Sequence, residues 1–182
     1  MKKLIEILVF ILFSTPFLSQ SQTSSWICKN ARVSFFSSAP LEDIEATSEY
    51  GASAMNTVTG DIVFKLKNSS FQFDKKLMQE HFNENYMESD KYPISEFKGK
   101  INNVNELNKQ GKYDLIVSGT LDIHGVSKKY DAKVEFVVQE GMITAKTNIQ
   151  VRLEDHNIKI PSIVGKKIAE IVKVSLSAVY KQ

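Results

Sequence analysis

From residue 111 onward the chain alternates apolar and polar residues with a period of two, and that pattern restricts the fold more than any other feature. Tyr113, Leu115, Val117, Gly119, Leu121 and Ile123 share one parity, against Asp114, Ser118, Thr120, Asp122 and His124. Tyr130, Ala132, Val134, Phe136 and Val138 repeat it, as do Ile143 to Leu153 and Val172 to Tyr180 taken in steps of two. Earlier, Val58, Gly60, Ile62, Phe64 and Leu66 share a parity, and Phe97, Gly99 and Ile101 add a shorter run. Side chains of a strand point to opposite faces in turn, so each run is a strand with one dry and one wet face. Lys109–Lys112, His124–Ser127 and Gln139–Gly141 are short turn-like breaks, which sets the runs antiparallel in up-and-down order. Val33–Ser37 and Ile44–Ser48, split by Ser38-Ala39-Pro40, supply two further strands. The expectation is an all-β chain: an antiparallel sheet of about eight strands closed on itself.

One helix interrupts the strands. Asp74 is placed to cap it, and Leu77, Met78, His81, Phe82 and Tyr86 recur at helical spacing. Pro93 limits its extent. Such a helix beside a barrel covers an end or a seam.

The N-terminus reads as an address. Lys2 and Lys3 precede Leu4–Phe13, which is apolar apart from Glu6, and Ser19-x-Ser21 offers small residues ahead of a cut. Residues 1–21 are therefore expected to be a secretory signal peptide and 22–182 the mature domain, periplasmic or secreted. A short uncleaved anchor is the alternative. The 182 residues suit one domain, and 23 basic against 21 acidic residues give no basis for nucleic-acid binding. A single cysteine, Cys28, excludes an internal disulfide and reads as a packed thiol.

An eight-stranded barrel is at the size where side chains fill the interior or leave room for one small ligand. Gly60, Gly99, Gly119, Ala132, Ala145 and Ala178 lie on the dry parity among large residues. They permit a cavity, and they equally permit bending and close packing; both remain open on the residues alone.

Two segments carry a resemblance: FQFDKKLMQEHFNENYMESDKYPISEFKGK at Phe71–Lys100 and GKYDLIVSGTLDIHGVSK at Gly111–Lys128. With Ile158-Lys159-Ile160-Pro161 and Ile168–Val179 they resemble the YceI-like family of exported bacterial lipid- or polyisoprenoid-binding proteins. The resemblance implies a lipocalin-like barrel, capped by the short helix, whose long apolar pocket holds an isoprenoid chain. Taken with the parity, it implies that Phe64, Leu66, Phe97, Leu115, Val117, Gly119, Leu121, Val134, Phe136, Ile149 and Leu176 line the pocket. Leu77, Met78 and Phe82 are expected to close one end.

The chemistry-bearing residues are sparse. His81-x-x-Glu84 with Glu88 could align an imidazole and carboxylates, but a metal needs further ligands in fixed geometry, so an ordinary polar helix face is expected and no metal or cofactor. His124 falls at a strand end, where a hairpin with Gly125 at positive φ is expected rather than ligand contact. Asp155-His156 suggests a turn at the rim. No Ser–His–Asp spacing, phosphate loop or H-E-x-x-H is present. The expected function is a non-catalytic carrier for an apolar lipid, such as a polyisoprenoid or isoprenoid quinone, with transient membrane contact. The alternatives are an enzyme acting on a quinone or isoprenoid, and a stress-related barrel with a filled core.

The leader reading predicts that N-terminal sequencing of protein from the cell envelope finds a start within a few residues of Gln22. Intact Met1 in the soluble cytoplasm is the contrary result.

Overall fold

The computed structural model describes residues 25–38, 43–160 and 169–182. The expected leader, residues 1–21, lies outside the described residues. Nine strands occur in the order β1 (Ser25–Ser37), β2 (Ile44–Asn56), β3 (Asp61–Lys67), β4 (Gln72–Phe73), β5 (Ile94–Ile101), β6 (Gly111–Ile123), β7 (Val126–Gln139), β8 (Met142–Arg152) and β9 (Ile171–Lys181). Helix α1 (Lys76–His81) stands between β4 and β5. Every pairing is antiparallel, each long strand beside its sequence neighbour, and β1 pairs with both β2 and β9. Eight strands thus close a barrel without an open edge. The two-residue β4 is an appendage on β2, through Ala46 opposite Phe73 and Thr47 opposite Gln72.

The tight turns follow from a few residues. His124-Gly125 joins β6 to β7 with φ of 55° and 70°, and Glu140-Gly141 joins β7 to β8 with 50° and 74°. Two consecutive positive φ values match the twist of the flanking strands. At the β2–β3 turn, the Asn56 side-chain oxygen accepts from the N–H of Val58 and Thr59 at 2.8 and 3.0 Å. Val58 is exposed there and Gly60, at φ 82°, stands outside the strand. These two residues were expected in β3; they belong to the turn that starts it. Likewise Leu153 and Glu154, read as strand, form a 3₁₀ turn.

The N-terminal strands are much longer than the sequence suggested, because both change parity midway. In β1 the inward residues are Trp26 and Cys28, then Ala31 and Val33; in β2 they are Ile44, Ala46 and Ser48, then Gly51, Ser53 and Met55. The register between the two strands shifts between Cys28 and Val33. Such a bulge bends the strand and returns its side chains to the other face.

The helix also departs from expectation. Lys75, not Asp74, is the residue before its first turn, and no side chain caps it. Phe82–Tyr86 continues it as a π turn, closed by the Met87 N–H on the Phe82 carbonyl at 2.8 Å. Met78 and Phe82, one turn apart, face inward. Leu77 is one residue round the helix and stands 62 % exposed, and His81 on the same outer stripe is exposed too.

Gly119 lies opposite Gly99 in the β5–β6 pair. A Cβ on Gly119 would collide with the Lys98 carbonyl oxygen and stand 2.6 Å from the Gly99 Cα and the Phe97 ring. The position is glycine because strands and ring meet over it, not because a lumen opens above it. Gly119→Ala is therefore predicted to lower stability by about 1–3 kcal/mol, from overpacking. Denaturant unfolding beside an exposed control, Thr120→Ala, measures it; an unchanged midpoint is the contrary result.

Candidate functional site

The interior is filled at one end and hollow at the other. The lower end carries the β2–β3 and β7–β8 turns and the β5–β6 connection. That connection folds Val104 and Leu107 under the barrel, where they pack with Trp26, Met55, Ile101, Leu115, Ile143 and Tyr180. Moving up the inward rows of β6, β8 and β9, burial falls at mid-height, and on β8 and β9 it is restored at the rim by Val151 and Val172. Leu115 and Val117 are buried on β6, and Leu121 and Ile123 only half-buried. On β8 the step runs from Ile143 and Ala145 to Thr147 and Ile149, and on β9 from Tyr180 and Ala178 to Leu176 and Val174. Side chains that point inward yet are not covered face a void. Its volume is about 250 Å³.

The upper end is bounded by aromatic rings. Phe82 stacks on Phe35 at 5.5 Å between centroids, and meets Phe71 and Phe73 at 5.5 and 5.1 Å. Phe35 comes from β1, Phe73 from β4, and Phe82 from the π turn, so the three-residue pattern Phe71-x-Phe73 ties the helical segment to the barrel wall. This cluster packs on Val33, Ala46 and Leu66.

Of the residues expected in the pocket, Phe64, Leu66, Met78, Phe82, Phe97, Val117, Leu121, Val134, Phe136, Ile149 and Leu176 line the cavity. Three do not. Leu77 faces solvent for the helical reason given above. Leu115 is on the inward parity but too low, within the packed base. Gly119 is covered by the Phe97 ring. Phe35, Phe71, Phe73, Ile44 and Tyr86 also line the cavity. Phe35 and Ile44 lie in the two N-terminal segments read as strands, where Phe36 beside Phe35 blurs the dry parity, and Phe71 and Phe73 flank or form a strand too short to show a period.

Several polar groups on the wall are engaged by the protein. Asn68 donates to the Tyr92 carbonyl at 2.6 Å and accepts from Ser95 at 2.7 Å. The Ser37 hydroxyl accepts from the Ala169 N–H at 2.9 Å. Glu96 pairs with Lys98 at 2.6 Å and Lys65 at 3.0 Å, and hydrogen bonds from these two ammonium groups hold its carboxyl below the usual range. Ser53 donates to the Val63 carbonyl at 2.7 Å and bonds the Tyr180 hydroxyl at 2.8 Å.

A second polar group sits at the upper rim. His124 is buried rather than a surface turn residue. Its Nε2 lies 2.8 Å from the Glu88 carboxylate and its Nδ1 3.2 Å from the His156 carbonyl. His156 is fully buried; its Nδ1 lies 2.9 Å from the Val126 carbonyl, and its Nε2 3.2 Å from the Tyr130 hydroxyl. The network joins the helical segment, the β6–β7 hairpin and the turn after β8. Among the described residues no three His, Cys, Asp or Glu side chains are grouped to hold a metal. Cys28 is buried.

Burial pushes the Tyr180 phenol up to about 12, against the opposing Ser53 hydrogen bond. The neutral phenol is the form the fold holds, so its contribution is complete below the ordinary value near 10 and is lost as pH rises through 12. A shift of two units corresponds to about 3 kcal/mol. Tyr180→Phe is predicted to flatten the loss of stability between pH 10 and 12, at a cost of about 0.5–1.5 kcal/mol at neutral pH for the hydrogen bond. Denaturant midpoints across that range test it; an unchanged slope is the contrary result.

A search of curated proteins finds no match to the chain. The family model described as YceI-like domain matches residues 22–180. Among solved structures, a polyisoprenoid binding domain from Saccharophagus degradans superposes with a TM-score of 0.76 at 15% identity, covering 87% of this chain and 98% of that one. BcnA of Burkholderia cenocepacia gives 0.69 at 16%, covering 82% and 95%. The Campylobacter jejuni YCEI protein gives 0.58 at 15%, covering 100% and 99%. At these identities the likeness is one of fold.

Proposed function

The chain belongs to the YceI-like domain family, and from that premise we propose that it is an exported, non-catalytic binding protein holding an apolar isoprenoid-type lipid in the upper barrel. The observation that carries this reading is the set of half-buried inward side chains at mid-height on β6, β8 and β9, which face an apolar void above a packed base. An apolar cavity of this size favours an apolar guest over water. The mostly apolar wall, with Asn68, Ser37 and Tyr180 bonded within the protein, supports binding over catalysis, since a reaction needs acids, bases or nucleophiles aimed at the substrate. The name of the Saccharophagus relative supports an isoprenoid chain as the guest. The leader-like residues 1–21 support export, and transfer between membranes or storage would follow.

Gentle purification followed by solvent extraction and mass spectrometry tests the proposal. An isoprenoid lipid or quinone in near-stoichiometric amount is expected. Ile149→Trp, which fills the void from β8, is predicted to cut the recovered lipid at least tenfold while the circular dichroism spectrum stays that of a barrel. A wild-type protein that carries no lipid and takes up none from vesicles overturns the reading.

A further inference from the structure

One polar side chain on the cavity wall is left without a partner. Thr147 donates to the Lys133 carbonyl at 2.8 Å and Tyr130 bonds His156, as Asn68, Ser37, Glu96 and Tyr180 bond the partners already described. The Tyr86 hydroxyl makes no hydrogen bond among the described residues, and it keeps access to solvent. Its ring is nevertheless firmly placed. Met78, Phe82 and Tyr86 follow one another at steps of four, which keeps them on one face of the helical segment, and all three line the cavity. The turn that carries Tyr86 is braced on both sides. The Asn83 side chain donates to the Gln79 carbonyl at 2.9 Å and accepts from the Ser89 hydroxyl at 2.7 Å, and Glu88 is tied to His124. Tyr86 thus ends an apolar stripe with a donor that the fold does not use. Partial burial pushes its phenol above the ordinary value, so the hydroxyl keeps its proton at neutral pH.

Resting on the apolar-binding reading, we propose that Tyr86 is a ligand-binding residue whose hydroxyl donates a hydrogen bond to a neutral acceptor, a carbonyl oxygen, carried on the guest's apolar tail. A donor held beside an apolar void rewards a guest that brings an acceptor, and a bare hydrocarbon forgoes that gain. The acceptor is neutral because the segment is acidic. It carries Asp74, Glu80, Glu84, Glu88 and Asp90 against Lys75, Lys76 and Lys91, and Glu84 and Glu88 flank Tyr86 at two residues on either side. An anionic head group would meet this negative charge. Recognition is then divided: the cavity takes the tail by burial, and one phenol reads the head.

Calorimetric titration with three probes that share one prenyl tail tests this: a ketone, the hydrocarbon in which a methylene replaces its carbonyl, and the phosphate. An apolar cavity of about 150 Å³ holds benzene, and in proportion 250 Å³ holds about ten carbons, which sets the tail. The wild type is expected to bind the ketone about two- to tenfold more tightly than the hydrocarbon, the margin of one net hydrogen bond. The phosphate should bind no better than the hydrocarbon. Tyr86→Phe removes one oxygen, so it should bring the ketone down to the hydrocarbon and leave the hydrocarbon's affinity as it was. Its unfolding midpoint should not move, since the hydroxyl bonds nothing in the fold. A wild type without the ketone margin, a Tyr86→Phe variant that keeps it, or one that loses ketone and hydrocarbon alike overturns the hydroxyl contact and leaves the binding reading intact. A wild type that prefers the phosphate overturns the neutral head group. A wild type that binds none of the three overturns the binding reading and the Tyr86 contact with it.

Discussion

The pairing of β1 with β2 on one side and β9 on the other closes the sheet, and the remaining structure answers to the volume this encloses. A closed ring has no strand edge left to satisfy, so its stability does not depend on a partner for its backbone groups. Eight strands also fix an interior diameter that side chains must fill or leave partly empty. This chain does both. Large residues and the inserted Val104 and Leu107 saturate the base, while the inward rows above carry Ala132, Thr147, Ile149 and Val174, too small to meet across the lumen. The packed half stabilises the barrel and the other half can remain hollow without the fold failing.

The hollow half is held in shape by its rim. Phe82 reaches the barrel wall through three other rings, and the Glu88–His124–His156–Tyr130 network pins the segment after the π turn to the β6–β7 hairpin. The aromatic contacts are apolar and tolerant of sliding. The hydrogen bonds are directional and fix one arrangement. Rings that can shift beside a fixed rim suit a segment over which an apolar guest enters. The same division explains why His124 is a buried residue at a hairpin tip: its positive φ makes the turn, while its ring anchors the segment that covers the cavity.

How much of this was legible depended on whether a strand kept one parity. From β5 to β9 the rows run unbroken, and reading alternate residues gave the strands, their order and most of the wall, Val117, Leu121, Val134, Ile149 and Leu176 among them. In β1 and β2 the bulge flips the parity at Cys28/Ala31 and at Ser48/Gly51, so period-two reading recovered only their adjacent ends, and there the adjacent Phe35 and Phe36 left the dry face unmarked. β4 is two residues long and has no period to detect, which hid Phe73. Leu77 and Leu115 show the opposite limit. Apolar spacing gave the face or the stripe approximately, but it carries no information about height in a barrel or about a rotation of one residue around a helix. Gly119 shows a third. Sequence placed it on the inward face, yet whether a glycine leaves space or is covered depends on its neighbour's rotamer, and here the Phe97 ring occupies the space.

The half-filled interior also bears on how firmly a guest is held. Seating about ten carbons buries about 300 Å² of apolar surface, worth about 8 kcal/mol at about 25 cal/mol per Å². Association costs about 4–15 kcal/mol before any affinity remains. Asn68, Ser37 and Tyr180 on the wall are bonded within the protein, so they add no hydrogen bond to a head group. A barrel hollow to its base would bury a longer chain and release it slowly. A void of this size keeps the gain near the cost, so the proposed guest would exchange readily. Reversible exchange is the behaviour a shuttle between two membranes or two proteins requires, and deep burial would work against it.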